Sequence, residues 1–325
     1  EVVPGYARYL LDLGFDVLVL VTPARLSEGL FSRFEVPGLR HAQLSQGQIR
    51  KFVRSPEMRK AAGIIVTTAG KLPKQDNKTE DLEKVFGSDQ PYCVLLVEHD
   101  ARTKIEANVW DERYITLREL NYKDRKSTVV NPHYFGNVKV TPKSKDFTRF
   151  LLVGATRAKR GSRPLVYDTA LKLLEGGDSN FQIRIVGKRD MKQIPSELRS
   201  HIKSLGRVSF DRLYQEVEKA DFILTSFQKE NLNHAFYRTT GTSGSFQLAY
   251  GFRKPCIVQK QFAEPGLLDE GNCLLYDADE DILTAIRRAA RMSQTDYAKL
   301  QLGLEATADE LYTSSLKSME RLIHE

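Results

Sequence analysis

Two stretches of the sequence combine residue types suited to holding a phosphate. Gly154-Ala-Thr-Arg-Ala-Lys-Arg-Gly161 sets Arg157, Lys159 and Arg160 in a glycine-bounded turn directly behind the apolar run Phe150-Leu-Leu-Val153. Guanidinium and ammonium groups neutralise a diphosphate, and glycine lets backbone amides approach it with no Cβ in between. A solvated basic turn is the plainer reading, but the position beside Gly154 favours a ligand. Thr239-Thr-Gly-Thr-Ser-Gly-Ser-Phe246 is rich in hydroxyls and glycine and opens an apolar helix. Thr242, Ser243, Gly244 and Ser245 would there offer free amides and the positive helix end to an anion. Capping of the helix by Ser243 or Ser245 is compatible with that role.

A second chemistry is suggested by Val97-Glu-His-Asp100, where His99 and Asp100 end an apolar run. At the carboxyl end of a parallel strand they would face a ligand crevice and could act as acid or base, although a histidine there is commonly a packed, hydrogen-bonded residue. His41, His133, His201, His234 and His324 show no ligand spacing with cysteine or acids, so no metal is expected. Trp110 and the tyrosines read as core or rim residues rather than a stacking platform.

These residues need strands and helices to position them. Pro4 to Leu13 carries Tyr6, Tyr9, Leu10 and Leu13 at helical spacing and stops at Gly14, and Val17-Leu-Val-Leu-Val21 then reads as a strand buried on both faces. A helix feeding a buried strand implies a parallel sheet, and such a helix follows a strand of its own in a right-handed crossover. The first strand and its loop are therefore expected ahead of Glu1. Further strands are predicted at 63–67, 93–97, 114–117 and 127–130. The polar, proline-containing stretch around Asn137 to Asp146 marks a domain boundary.

Beyond it the alternation restarts at Phe150–Val153. Helices are predicted over 164–174, 195–204, 211–219, 243–250 and 281–292, with strands at 181–186, 222–224 and 256–258 and a short segment at 207–210. A final helix near 308–323 presents Tyr312, Leu316, Met319 and Ile323 as an apolar stripe that requires a partner surface.

At 325 residues the chain suits two cores of ordinary size, and its 41% hydrophobic and 28% charged residues are those of a globular protein. No apolar run is long enough to span a bilayer, no leader peptide is visible, and three cysteines that cannot all pair fit a reducing, cytoplasmic setting. The net charge of +7 admits nucleic acid, an anionic membrane surface or a phosphorylated ligand. The basic clusters lack the aromatic interleaving of a base-stacking surface, which speaks against nucleic acid.

The order of these features resembles the donor domain of retaining GT-B glycosyltransferases, of the group 1 or family 4-like type. The matching residues are Leu152-Val-Gly154, Lys159-Arg-Gly161, Ile185-Val-Gly187, Gly206-Arg-Val208, Ala220-Asp-Phe-Ile-Leu-Thr-Ser226, Glu230, Leu248-Ala-Tyr-Gly-Phe-Arg-Lys-Pro255 and Glu270-Gly-Asn-Cys-Leu-Leu275. The spacing before Pro255 is one residue longer than the usual pattern, and the family's second acid would fall on Arg238, so the paired-acid motif is absent. In the first half the resemblance is limited to residues 1–6, 97–100 and 130–136.

The resemblance implies two Rossmann-like doubly wound domains facing a cleft. Residues 1–143 would form the acceptor side and 144–305 the donor domain, with a C-terminal helix over 306–325 packing back on the first. Arg160 or Lys159, with Arg157, would hold the donor diphosphate. Gly154, Gly187, Arg207 and Val208 would border the nucleotide, Glu230 would lie near the donor, and Ser243-Gly-Ser245 would meet the phosphates in place of the second acid. It further implies transfer of a hexose-type sugar from a nucleotide-diphosphate sugar to a hydroxyl on a glycan or lipid-linked acceptor, without any cofactor, retaining and metal-independent, in surface polysaccharide assembly. His99 and Asp100 would serve the acceptor side, and basic and apolar patches would allow peripheral membrane contact. A nucleotide-sugar epimerase of the same fold and a non-catalytic binding module are the competing expectations.

Overall fold

The computed structural model describes residues 2–34, 36–68, 71–73, 79–81, 91–120, 122–154, 163–187 and 194–324. The chain divides into two compact units. The first comprises 1–136, 239–242 and 310–325, and the second 137–238 and 243–309. Each is a parallel α/β assembly of the expected class. No helix among the described residues is long and apolar enough to cross a membrane.

The first unit opens on α1 (Val3–Asp12), whose Pro4 sits at the first turn and whose Tyr6, Ala7 and Tyr9 are buried. It feeds β1 (Val17–Val21), followed by α2 (Pro23–Ser27), β2 (Leu39–Gln43) and α3 (Gln46–Val53). Ser45 caps α3 through a capping box with Gln48. A four-stranded parallel sheet runs in the order β3 (Gly63–Val66), β6 (Cys93–Glu98), β7 (Tyr114–Thr116) and β8 (Thr128–Val129), and α4 (Arg102–Glu106) follows β6. A short antiparallel pair, β4 (Lys71–Pro73) with β5 (Thr79–Asp81), lies between β3 and β6 in the chain.

β1 pairs in parallel with β2 alone. The expectation that Val17–Val21 is buried on both faces therefore fails in part, since Leu18 is 44% exposed. β2 was not anticipated from the sequence. Its Leu39-Arg-His-Ala-Gln43 is an edge strand with three exposed residues, so no apolar run announces it.

The second unit is one six-stranded parallel sheet in the order β11-β10-β9-β12-β13-β14. Its strands are β9 (Thr148–Val153), β10 (Phe181–Val186), β11 (Ile202–Gly206), β12 (Phe222–Leu224), β13 (Cys256–Gln259) and β14 (Leu274–Tyr276). Helices α5 (Arg163–Glu175), α6 (Phe210–Lys219), α7 (Gly244–Phe252) and α8 (Ile282–Arg291) connect them, and Phe150, Ile183, Phe222, Ile257 and Ile286 belong to its core. The helix predicted over 195–204 is replaced by a 3-10 turn at Ser196–Leu198 and the edge strand β11, paired with β10. Its periodicity misled because only Leu198, Ile202 and Gly206 are buried, too few to distinguish a helix from an edge strand.

The last helix, α9 (Gln294–His324), is 31 residues long and thus begins well before the predicted segment. Its residues to Asp309 belong to the second unit and those from Glu310 to the first. There Tyr312, Leu316, Met319 and Ile323 find their partner surface against Tyr6, Tyr9, Leu95 and Val97. Ser315 Oγ, in the same stretch, accepts from Asn131 N at 2.9 Å.

Candidate functional site

In open parallel sheets ligands bind at the carboxyl ends of the strands, where loops and helix N-termini gather. At that edge of the second unit β9 ends on Gly154 and β10 on Gly187. Gly154 N donates to Val186 O at 2.9 Å and Gly187 N to Gly206 O at 3.0 Å, so three strand ends are tied side by side. Both Gly154 (φ 128°) and Gly187 (φ 154°) adopt backbone angles that side chains disfavour. A Cβ on Gly187 would collide with the Gly154 carbonyl, whereas one on Gly154 would meet nothing within 4 Å among the described residues. Gly187 thus permits the close backbone packing of the two strand ends.

α7 begins at the same edge, because it leads from the loop after β12 into the parallel strand β13. Ser243 is its N-cap, extended at φ −103° and ψ 131°, and its hydroxyl accepts from Ser245 N at 3.3 Å. The serine cap and the exposed amide end coexist: Ser243 and Ser245 are buried, while Gly244 is exposed. The first turn of α7 carries no acid of its own to offset the positive helix end. The helix itself is buried nearly all round and stops at Arg253, which takes the left-handed conformation (φ 51°) usual for a C-terminal glycine.

Gln247 was not singled out from the sequence. It is 3% exposed, lies one turn into α7 on the face of Ser243, and neither its Nε2 nor its Oε1 has a hydrogen-bond partner among the described residues. A buried primary amide without partners is costly, and long helical side chains lean toward the N-terminus. No apolar or basic pattern marks it, since the signal is burial.

Arg207 is exposed and Val208 half-buried, both in the turn from β11 to α6, whose N-cap is Ser209. Glu230 is exposed in a turn after β12. Arg157, Lys159 and Arg160 lie outside the described residues.

In the first unit β6 delivers Glu98, His99 and Asp100 to the carboxyl edge of its sheet. His99 Nε2 donates to Thr67 O at 3.1 Å. Asp100 Oδ1 accepts from Thr240 Oγ1 at 2.7 Å and from Arg102 N at 3.3 Å. Residues 239–242 are counted with this unit because Asp100 and Gly241 form an antiparallel bridge and Ala101 N donates to Thr240 O. Thr242 belongs to the same segment and is half-buried.

Glu98 is the acid that sequence reading passed over. Its Oε1 accepts from His99 N at 2.9 Å and Asp100 N at 3.1 Å, and burial nevertheless raises its pKa above the ordinary value. Trp110 is packed against Tyr114, with ring centroids 4.9 Å apart, so it belongs to the core as expected.

No family model and no curated protein matches the sequence. The fold is similar to that of AviGT4, a glycosyltransferase involved in avilamycin A biosynthesis, with a TM-score of 0.55 and 13% identity over 99% of this chain and 89% of that one. Weaker likenesses are to the C-terminal domain of the glycosyl transferase group 1 family protein LpcC from Francisella tularensis (TM-score 0.40, 13% identity, 50% of this chain and 85% of that one) and to TarM (0.49, 10%, 89% and 55%). At such identities the likeness concerns the fold.

Proposed function

We propose that the protein transfers a sugar from a nucleotide-diphosphate donor to an acceptor hydroxyl. The observation that carries this reading is the carboxyl edge of the second unit, where the close-packed glycine ends of β9 and β10 and the acid-free N-terminus of α7, with its exposed Gly244, lie together. Arg157, Lys159 and Arg160, in the turn after β9, would add the cations that a diphosphate leaving group requires without a metal. Gln247 would lend its amide to the same end of α7.

In the retaining course that we favour, the bond from the sugar C1 to the phosphate oxygen breaks as the acceptor oxygen bonds C1 on the same face. The acceptor proton passes to the departing phosphate oxygen, so the protein need only position reactants and stabilise charge. His99 and Asp100 would then orient the acceptor rather than remove its proton, in keeping with their hydrogen bonds to Thr67 and Thr240. A glycan or lipid-linked hydroxyl compound of surface polysaccharide assembly is the acceptor class proposed.

The test is incubation with labelled nucleotide sugars, with and without an acceptor hydroxyl compound, followed by NMR of the products. Acceptor-dependent release of nucleoside diphosphate with the donor's anomeric configuration preserved is expected. An epimerised nucleotide sugar formed without acceptor would refute the proposal.

A further inference from the structure

β6 ends where the chain turns off the sheet toward α4, and that turn carries both His99 and Asp100. The backbone amides of the four residues after the strand each have an acceptor. His99 N donates to Glu98 Oε1 at 2.9 Å and Asp100 N to the same oxygen at 3.1 Å. Ala101 N donates to Thr240 O at 3.1 Å, and Arg102 N to Asp100 Oδ1 at 3.3 Å. One oxygen of Glu98 thus takes two of the four, and they are the amides of the two residues proposed to meet the acceptor.

A surface glutamate would extend into water. Glu98 is instead half-buried, and its register partner on β7 is the buried Thr116. A carboxyl group is held in such a place when hydrogen bonds offset its lost hydration. Short polar side chains commonly close turns by bonding to nearby backbone. Here a longer one folds back over its own peptide bond and fastens both amides that follow it.

The side chains on this turn make directional bonds of their own. His99 Nε2 donates to Thr67 O, just past β3, at 3.1 Å, and Asp100 Oδ1 accepts the Thr240 hydroxyl at 2.7 Å. Both bonds need the backbone of His99 and Asp100 held in place, since a drift of about 0.5 Å already loosens a functional constellation. We infer that Glu98 is a positioning residue: by fastening the amides of His99 and Asp100, it sets the directions in which the imidazole and the carboxylate point. Glu98 touches no reacting atom. The inference rests on the transferase reading for what those two groups meet, and on the hydrogen bonds alone for how they are held.

The amides need an oxygen rather than a charge, so Glu98→Gln keeps the clamp, and Glu98→Met, of similar length with no oxygen, removes it. Side-chain nitrogen NMR at about pH 8, where an ordinary imidazole is neutral, reads the tautomer of His99. The unaltered protein and Glu98→Gln are expected to show the Nε2–H tautomer of the bond to Thr67 O, and Glu98→Met a mixture of both tautomers. Amide exchange at His99 and Asp100 should quicken at least about tenfold in Glu98→Met and stay unchanged in Glu98→Gln. A glutamate that serves stability alone would shift the melting temperature and leave the tautomer as it is. In the kinetic arm, with labelled UDP-, GDP- and ADP-sugars and octyl glucoside as acceptor, Glu98→Met should raise the acceptor KM at least about tenfold. The calorimetric Kd for nucleoside diphosphate should not move. A single Nε2–H tautomer in Glu98→Met overturns the inference. So does its loss in Glu98→Gln, which would assign the role of Glu98 to its charge near Lys104 and which decides the matter even where Glu98→Met does not fold. An unaltered protein that shows the expected spectra, yet neither transfers to octyl glucoside nor hydrolyses any of these donors, would overturn the transferase reading alone.

Discussion

Gly187 approaches the carbonyl of Gly154 so closely that no Cβ fits between them. The contact joins the ends of β10 and β9 and fixes the floor of the second unit's carboxyl edge. Gly187→Ala should cost about 2–4 kcal/mol, combining left-side backbone strain with a forced separation of two strands. Urea denaturation followed by far-UV circular dichroism measures the loss, and an unchanged midpoint would show that the strand ends separate freely.

The Thr240 hydroxyl holds the Asp100 carboxylate at 2.7 Å. Thr240→Val preserves shape and removes the donor, so stability should fall by about 1.5–3 kcal/mol, the usual worth of a bond to a charged group. If Asp100 orients the acceptor, KM for acceptor should rise with little change in donor binding. The check is steady-state kinetics beside the denaturation midpoint, and a rise in donor Kd alone would contradict this role.

Much of the second unit's sheet is legible in the sequence because Phe150–Leu152, Phe222–Leu224 and Cys256–Val258 are buried apolar runs, and Phe181–Val186 alternates buried apolar residues with half-buried Gln182 and Arg184. β2 and β11 are not legible, since an edge strand exposes half its residues and satisfies its backbone on one side only. Of the site, the glycine ends and Ser243 follow from local pattern. Glu98 and Gln247 acquire their character from burial by residues distant in the chain, which no local pattern records.

Glu98 gives a pH signature. Burial raises its folded pKa above the ordinary 4.5, so the folded chain retains a proton that the unfolded chain loses. Its contribution to stability therefore declines as pH rises above 4.5 until Glu98 ionises in the fold. Glu98→Gln should flatten that part of the stability curve and raise stability at pH values above it. Melting temperatures of both proteins across the acidic and neutral range are the check, and parallel curves would disprove the assignment.

Lys254 gives the opposite sign. It is fully buried, donates to Thr141 Oγ1 at 2.7 Å, and burial pushes its pKa down to about 8, with Asp221 opposing the shift. Between about 8 and its ordinary 10.5 the unfolded chain binds more protons, so stability rises with pH across that window. Lys254→Met should abolish the rise, worth roughly 1–3 kcal/mol. Chemical denaturation at the two ends of the window reads it directly.

The central claim is that the carboxyl edge of the second unit binds the diphosphate of a nucleotide sugar. Gly244→Asp tests it most directly, because an acid in the first turn suits the α7 dipole and leaves the helix intact while repelling an anion from its exposed amides. Calorimetric titration of the unaltered protein and this variant with UDP, GDP, ADP and CMP is the measurement. Binding of one diphosphate by the unaltered protein, weakened at least about tenfold in Gly244→Asp with an unchanged melting temperature, is the predicted result. Equal affinity in both proteins, or no binding of any of these nucleotides, would contradict it.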